Sequence, residues 1–341
     1  MMRTLMIASP LEAENVARIR AAAPGRIEII YEPELLPQAR FEADHKGAPF
    51  VRDAARWRAL LARAEILWDL PDATDLAAAT ALRWVQTTST GVGQSVAALG
   101  LAPDVVVTTA RGVHARPLAE FVFMALLGHW RGREYLRREQ QARRYVRYCG
   151  EEVAGRSLAI IGAGDLARGC ARLARALDMT VVAVARDPAK SRAHADLFDA
   201  VVPSDRAALH AALARADAVV VTVPHTPGTA AMIDAAAFAA MRRGAAFVNI
   251  ARGQVVDEDA LIAALRTGHI GFAALDVAAT EPLPAESPLW DMENVLISPH
   301  SASTVHGENA RIVEIFTDNL AHWLAGRPER MRNILDRTLM Y

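Results

Sequence analysis

The stretch Leu158-Ala159-Ile160-Ile161-Gly162-Ala163-Gly164-Asp165-Leu166-Ala167 places a short apolar run before two glycines, and an alanine-rich segment follows through Cys170 and Leu173 to Leu177. A run of that length bounded by glycine reads as a buried strand, and the segment beyond it reads as a helix. In a strand–turn–helix the first glycine makes the tight turn and the second lets a pyrophosphate reach the backbone. The helix N-terminus adds N–H groups and the positive end of its dipole. Ala167 replaces a third glycine, which the pattern tolerates. Two glycines at this spacing often mark only a tight turn. The following strand, Thr180–Ala185, completes a βαβ unit and makes Gly162, Ala163, Gly164, Asp165 and Leu166 a predicted dinucleotide site.

The end of that second strand selects the nucleotide. An acid about 20 residues past the fingerprint binds the ribose diol of NAD. Here Val181-Val182-Ala183-Val184-Ala185 ends without a carboxylate and runs into Arg186-Asp187-Pro188. Arg186 suits a 2′-phosphate, so NADP is the preferred cofactor. Asp187 keeps NAD possible, and a solvated loop charge is the plain alternative for Arg186.

Working outward, β-rich runs alternate with helical stretches almost end to end, which predicts an α/β protein with parallel sheets. Upstream, the strand candidates are Leu5–Ala8, Ile27–Tyr31, Glu65–Trp68, Trp84–Thr87 and Val105–Thr108, with a helix at Asp53–Arg63 and a long loop at Pro33–Pro49. Downstream of the fingerprint they are Ala218–Val223, Ala246–Ile250, Phe272–Leu275 and Val295–Ile297. Pro117 opens a helix whose apolar part, Leu118 to Leu127, is wide and which continues into the charged Arg131–Gln141. Burial between two domains or at a subunit interface explains that width. The last helix, Thr304 to Leu324, carries Ile312, Phe316, Leu320 and Trp323 on one stripe.

At 341 residues the chain fits two domains. A formal net charge of -1 offers no basic field for phosphate backbones, so no nucleic-acid partner is expected. Two cysteines, Cys149 and Cys170, exclude a disulfide framework and read as small buried or partly buried hydrophobes. No apolar stretch is long enough to span a membrane, and the N-terminus runs straight into a predicted strand. A cytoplasmic protein is therefore expected. The ten histidines show no zinc-ligand spacing, and no metal is predicted.

Three further motifs carry chemistry: Asn249-Ile250-Ala251-Arg252-Gly253, Glu281-Pro282, and Ser298-Pro299-His300. Arg252 and His300 each follow a predicted strand, so both emerge at the carboxyl edge of the sheet, where ligands of open α/β folds bind. A guanidinium fork grips a carboxylate and polarises an adjacent carbonyl. An imidazole at the same edge is the natural general acid for a ketone that receives hydride. Taken singly, Arg252 is a solvated charge, His300 a loop histidine and Glu281 a surface acid; their joint occurrence argues for a site.

In these motifs, and in Asp276 with Glu281-Pro282-Leu283-Pro284 and Pro288-Leu289-Trp290, the chain resembles the D-2-hydroxyacid dehydrogenases, especially the glyoxylate/hydroxypyruvate reductase branch, from about Thr87 to the last helix. The resemblance implies two doubly wound domains: a Rossmann dinucleotide-binding domain, residues 104–303, inserted in a flavodoxin-like substrate domain, residues 1–103 and 304–341, with the active site in the cleft between them. It implies Arg252, Glu281 and His300 as catalytic residues, with Glu281 favouring the imidazolium and orienting the ring. Backbone amides of Gly91 and Val92, in Ser89-Thr90-Gly91-Val92-Gly93, would hold the substrate carboxylate beside Arg252 and His300. Pro224, Ile250, Ala251, Arg252, Asp276 and His300 would line the cofactor. The expected reaction is NAD(P)H-dependent reduction of a small 2-keto acid to the D-2-hydroxy acid, in a homodimer. A nucleotide-sensing, corepressor-like binding protein on the same fold is the rival.

Overall fold

The computed structural model describes residues 2–37, 50–190 and 196–338. The chain divides into two compact units, Met1–Val113 with His306–Tyr341, and His114–Val305. In the first unit the elements are β1 (Arg3–Ile7), α1 (Ala13–Ala22), β2 (Ile27–Ile30), α2 (Ala54–Leu61), β3 (Ile66–Trp68), α3 (Ala73–Leu76), β4 (Trp84–Gln86), α4 (Gly93–Ala98) and β5 (Val106–Thr108). The sheet is parallel with order β2-β1-β3-β4-β5, the flavodoxin-like order.

Alternation of side chains along each strand fills both faces of this sheet. Leu5, Ile7, Ile66, Trp68 and Trp84 point into one core, while Met6, Leu67 and Val85 point into the other with Trp57 and Leu61 of α2. The first core also takes α1 and the last helix of the chain, whose Phe316 stacks on Trp84 with ring centroids 4.9 Å apart.

The second unit holds α5 (Ala115–Trp130), α6 (Arg133–Gln141), β6 (Ser157–Ile161), α7 (Asp165–Ala176), β7 (Thr180–Ala185), β8 (Ala200–Pro203), α8 (Arg206–Leu213), β9 (Ala218–Val221), α9 (Ala235–Ala240), β10 (Ala245–Asn249), α10 (Glu258–Arg266), β11 (Ile270–Leu275) and β12 (Val295–Ile297). The chain ends with α11 (Glu308–Leu324), which belongs to the first unit. The second sheet is also parallel, ordered β12-β11-β10-β9-β6-β7-β8. Counted from β6 this is the 3-2-1-4-5-6 order of dinucleotide-binding folds with one more strand, and its direction reverses between β6 and β9. Asp205, Asp234 and Asp257 cap α8, α9 and α10 by accepting the backbone N–H of Ala208, Ala237 and Ala260.

Several expectations are corrected. Strand β5 pairs with β4, so the first unit extends to Val113 instead of ending at 103, and it resumes at His306 instead of 304. Helix α5 stops at Trp130; Gly132, at φ +65°, separates it from α6. On α5, Leu118, Val122, Phe123 and Leu126 pack inside their own unit with α7 and one face of the sheet, while Met124 is exposed. Strand β8 was not foreseen. It is a short edge strand ending in Pro203 with little burial, so it carries neither strict alternation nor a continuous apolar run. Within the anticipated loop Pro33–Pro49, Pro33–Leu35 forms a 3₁₀ turn, and 38–49 lie outside the described residues. Helix α11 begins after Gly307, at φ +82°, rather than at Thr304. Cys170 is buried, which pushes its thiol up to about 12, whereas Cys149 is exposed. Among the described residues no helix is long and apolar enough to cross a membrane.

Candidate active site

The predicted residues of the second unit lie along one edge of its sheet. One step beyond each strand, backbone bonds continue the ladder: Gly162 N–H to Val184 O, Thr222 to Ile161, Asp276 to Asn249, and Ser298 to Leu275, at 2.8–3.0 Å. This is the carboxyl edge, and the strand order reverses at Gly162 and Thr222. Gly162 has φ +118°, and a Cβ there would lie 2.4 Å from Thr222 Oγ1, so both conformation and space demand glycine. A Cβ on Gly164 would meet nothing within 4 Å, leaving open space over the N-terminus of the twelve-residue α7. That combination fits a pyrophosphate. Ala167 is fully buried, so a methyl group satisfies the helix–sheet contact at the third position. Asp165 is paired with Arg168 one helical turn on.

The end of β7 is less constrained. Ala185 is buried and Arg186 is exposed. Asp187 Oδ1 accepts the Ala189 N–H at 3.1 Å, and its other oxygen lies 3.9 Å from Lys190 Nζ. The acid that kept NAD open is thus engaged in its own turn. Pro224 is exposed, and its carbonyl accepts the Thr229 hydroxyl at 2.6 Å.

The ends of β10, β11 and β12 form a tightly specified corner. Asn249, buried, accepts the Ala251 N–H at 3.0 Å and donates to the Arg252 carbonyl at 3.1 Å, closing the turn that presents Arg252. Gly253 follows because a Cβ would lie 1.8 Å from the Ala278 carbonyl oxygen. The Arg252 guanidinium donates to the Ala251 carbonyl at 2.6 Å. Burial pulls its pKa down, against the opposing charges of Glu281 and Asp276.

Asp276 is buried, and one oxygen accepts three donors: the Ser298 hydroxyl at 2.6 Å and the N–H groups of Ala302 at 2.9 Å and Ser301 at 3.0 Å. Its carbonyl accepts the His300 N–H at 2.8 Å. Burial raises the Asp276 carboxyl above the usual range despite those donors. His300 itself has φ +51°, a conformation that a non-glycine residue keeps only where its surroundings impose it. His300 Nδ1 lies 2.8 Å from Glu281 Oε2, and Glu281 Oε1 accepts the Ala278 N–H at 3.1 Å. The Glu281 hydrogen bond raises the His300 pKa, with burial opposing. Burial would raise Glu281, but the His300 and Ala278 hydrogen bonds and the charges of His300 and Arg252 hold it below its ordinary value. An imidazolium paired with a carboxylate is the arrangement of a general acid with a fixed ring.

The structure therefore brings Arg252, Asp276, Glu281 and His300 to adjacent strand ends. Gly91 and Val92 belong to the first unit, after β4, where Gly91 is exposed and Val92 is buried at the start of α4. Three contributors had no assigned part in the sequence reading. Ser298 holds Asp276, Asn249 closes the arginine turn, and Ala278 binds Glu281 through its N–H. The first two stood in the quoted motifs, but their bonds are made inside the turn and leave no periodic signal; a backbone N–H leaves no sequence signal at all. Among the described residues no group of three His, Cys, Asp or Glu side chains is placed to hold a metal ion.

Comparison with known proteins adds to this geometry. Residues 123–302 match the family model described as D-isomer specific 2-hydroxyacid dehydrogenase, NAD binding domain. The chain is 36% identical over 235 residues to (S)-sulfolactate dehydrogenase of Chromohalobacter salexigens, covering 66% of this chain and 72% of the relative. It is 32% identical over 276 residues to glyoxylate reductase of Korarchaeum cryptofilum, covering 76% and 79%. The crystal structure of a D-isomer specific 2-hydroxyacid dehydrogenase from Xanthobacter autotrophicus Py2, in complex with NADPH and MES, superposes with a TM-score of 0.77 at 30% identity, covering 100% of both chains.

Proposed function

The chain belongs to the D-isomer specific 2-hydroxyacid dehydrogenases, and on that premise we propose that it reduces a small 2-keto acid of the glyoxylate or hydroxypyruvate kind to the D-2-hydroxy acid. The observation that carries the reading is the 2.8 Å contact of His300 Nδ1 with Glu281 Oε2 beside Arg252. Arg252 grips the substrate carboxylate and polarises the neighbouring carbonyl, a charge-assisted contact worth about 1.5–3 kcal/mol. Glu281 holds the His300 ring by Nδ1, so Nε2 carries the proton delivered to the carbonyl oxygen. Asp276 and Ser298 keep the His300 turn in place. The backbone amides of Gly91 and Val92 serve the carboxylate. Bound at Gly162–Leu166, a nicotinamide cofactor supplies the hydride.

Pro224, Ile250, Ala251, Arg252, Asp276 and His300 complete the proposed cofactor surface, Asp276 chiefly through the turn that it organises. NADP is the preferred cofactor in this reading. No carboxylate ends β7, Asp187 is engaged with Ala189, and Arg186 stands next to both. A homodimer is supported by Met124, Leu136, Tyr145, Val146 and Tyr148, large apolar side chains exposed within one stretch of the second unit. A strictly monomeric mass in light scattering would count against it. The family model and the relatives named above, dehydrogenases and a reductase, do not support the binding-protein alternative.

The test is nicotinamide absorbance with NADPH and NADH in separate reactions against a panel of 2-keto acids. Oxidation of NADPH with glyoxylate or hydroxypyruvate, faster than of NADH, is expected. No oxidation of either cofactor with any acid would overturn the reading.

A further inference from the structure

The two relatives named above differ in the substituent of the acid in their names: a sulfonate in one, none in glyoxylate. A fixed carboxylate stands at the carboxyl edge of the first sheet. Its strand order reverses between β1 and β3, the point at which open α/β sheets bind ligands. Asp69 is the first residue beyond β3 and has φ +70°, a left-handed conformation for a residue that is not glycine. Both carboxylate oxygens are held: Oδ1 accepts the Leu70 N–H at 2.9 Å, and Oδ2 accepts the Thr88 hydroxyl at 2.7 Å. Its own N–H donates to the Gln86 carbonyl at 2.7 Å. Thr88 leads directly into Ser89-Thr90-Gly91-Val92, so this acid is clamped to the loop assigned above to the substrate carboxylate.

The same edge holds a polar group that the protein does not satisfy. The Ala8 N–H donates to the Trp68 carbonyl at 2.9 Å, and the next residue, Ser9, has a buried hydroxyl with no hydrogen-bond partner among the described residues. Arg52, the cation that could favour an anionic substituent at this end of the sheet, is otherwise engaged. Its guanidinium sits 4.7 Å from the Trp57 ring centroid and 5.6 Å from that of Phe50, with Asp72 at 3.8 Å. The Asp69 carboxylate is fixed against the start of the loop.

We propose that Asp69 is a specificity-determining residue: its carboxylate, fixed next to the Ser89–Val92 loop, admits 2-keto acids whose substituent is absent, uncharged or hydroxyl-bearing, and rejects those with a second anion. The inference rests on the reading that this loop takes the substrate carboxylate. A hydroxyl substituent can donate to Asp69. A second carboxylate, sulfonate or phosphate brought within about 5 Å of a fixed carboxylate loses on the order of 10- to 100-fold in kcat/KM at the effective dielectric of a partly exposed site.

The experiment compares kcat/KM for glyoxylate and hydroxypyruvate with that for oxaloacetate and 3-sulfopyruvate, in the wild type and in Asp69→Asn. Asparagine tolerates the left-handed backbone and keeps an acceptor for Leu70, so the fold is retained. The wild type should prefer the singly charged acids by at least about tenfold, and in Asp69→Asn kcat/KM for oxaloacetate and 3-sulfopyruvate should rise relative to that for glyoxylate by about the same factor. Equal turnover of both classes by the wild type, or an unchanged ratio in an active Asp69→Asn protein, overturns the inference alone. No turnover of any acid with either cofactor overturns the underlying reading, and this inference with it.

Discussion

The edge of the seven-stranded sheet has two corners built to different tolerances. At the ends of β10, β11 and β12 the polar residues of the corner are held by several contacts. Asn249 bonds across the arginine turn, Gly253 abuts the Ala278 carbonyl, Asp276 collects three donors, and His300 is kept in a left-handed backbone. At the end of β7, Arg186 and Asp187 are exposed, and the turn is closed locally by bonds from Ala189 and Lys190 to Asp187. In the proposed reaction a proton is delivered along one line, and the first corner is preorganised for it. The proposed recognition of a 2′-phosphate asks only for a cation within reach.

That contrast is broken or sharpened by substitution at each corner. His300→Ala should have the largest effect, a loss of about 10²–10⁴ in kcat with cofactor affinity kept in a fluorescence titration. Normal turnover would remove His300 from the chemistry. Gly253→Ala should come next, because the 1.8 Å approach cannot be relieved without moving backbone; a loss of roughly 1–3 kcal/mol or more is expected in denaturant unfolding. Arg186→Ala should raise KM for NADPH about tenfold or more and leave NADH little changed, the cost of one charged hydrogen bond. Equal effects on both cofactors would show that Arg186 does not read the phosphate. Asp187→Asn should be the mildest, within about 0.5 kcal/mol in stability and with an unaltered NADPH KM. A strong loss there would erase the difference between the corners.

The two corners also differed in how far they could be read beforehand. Strands β7 and β12 fell at their predicted limits, and most others within two residues, because each is a dense apolar run between turn residues. Arg252 and His300 were legible because each follows a predicted strand and so emerges at the carboxyl edge of the sheet. Edge strand β8 was not, lacking burial to enforce a pattern. The break at Gly132 was passed over because apolar and charged helical residues continue on both sides of it. Asp276 was read as a cofactor contact. Its main bonds go to Ser298, Ser301 and Ala302, partners 22 to 26 residues away that no local periodicity announces.

The central claim is that Glu281 holds His300 as the proton donor, and the pH dependence of 2-keto acid reduction tests it most directly. Reduction requires the imidazolium, so the rate should stay level at low pH and fall as pH rises through a His300 pKa that the Glu281 hydrogen bond has raised. In Glu281→Gln that support is gone, and the fall should move to lower pH together with a reduced kcat. A profile that keeps its position in Glu281→Gln would contradict the account, because the proton would then come from a group that Glu281 does not control.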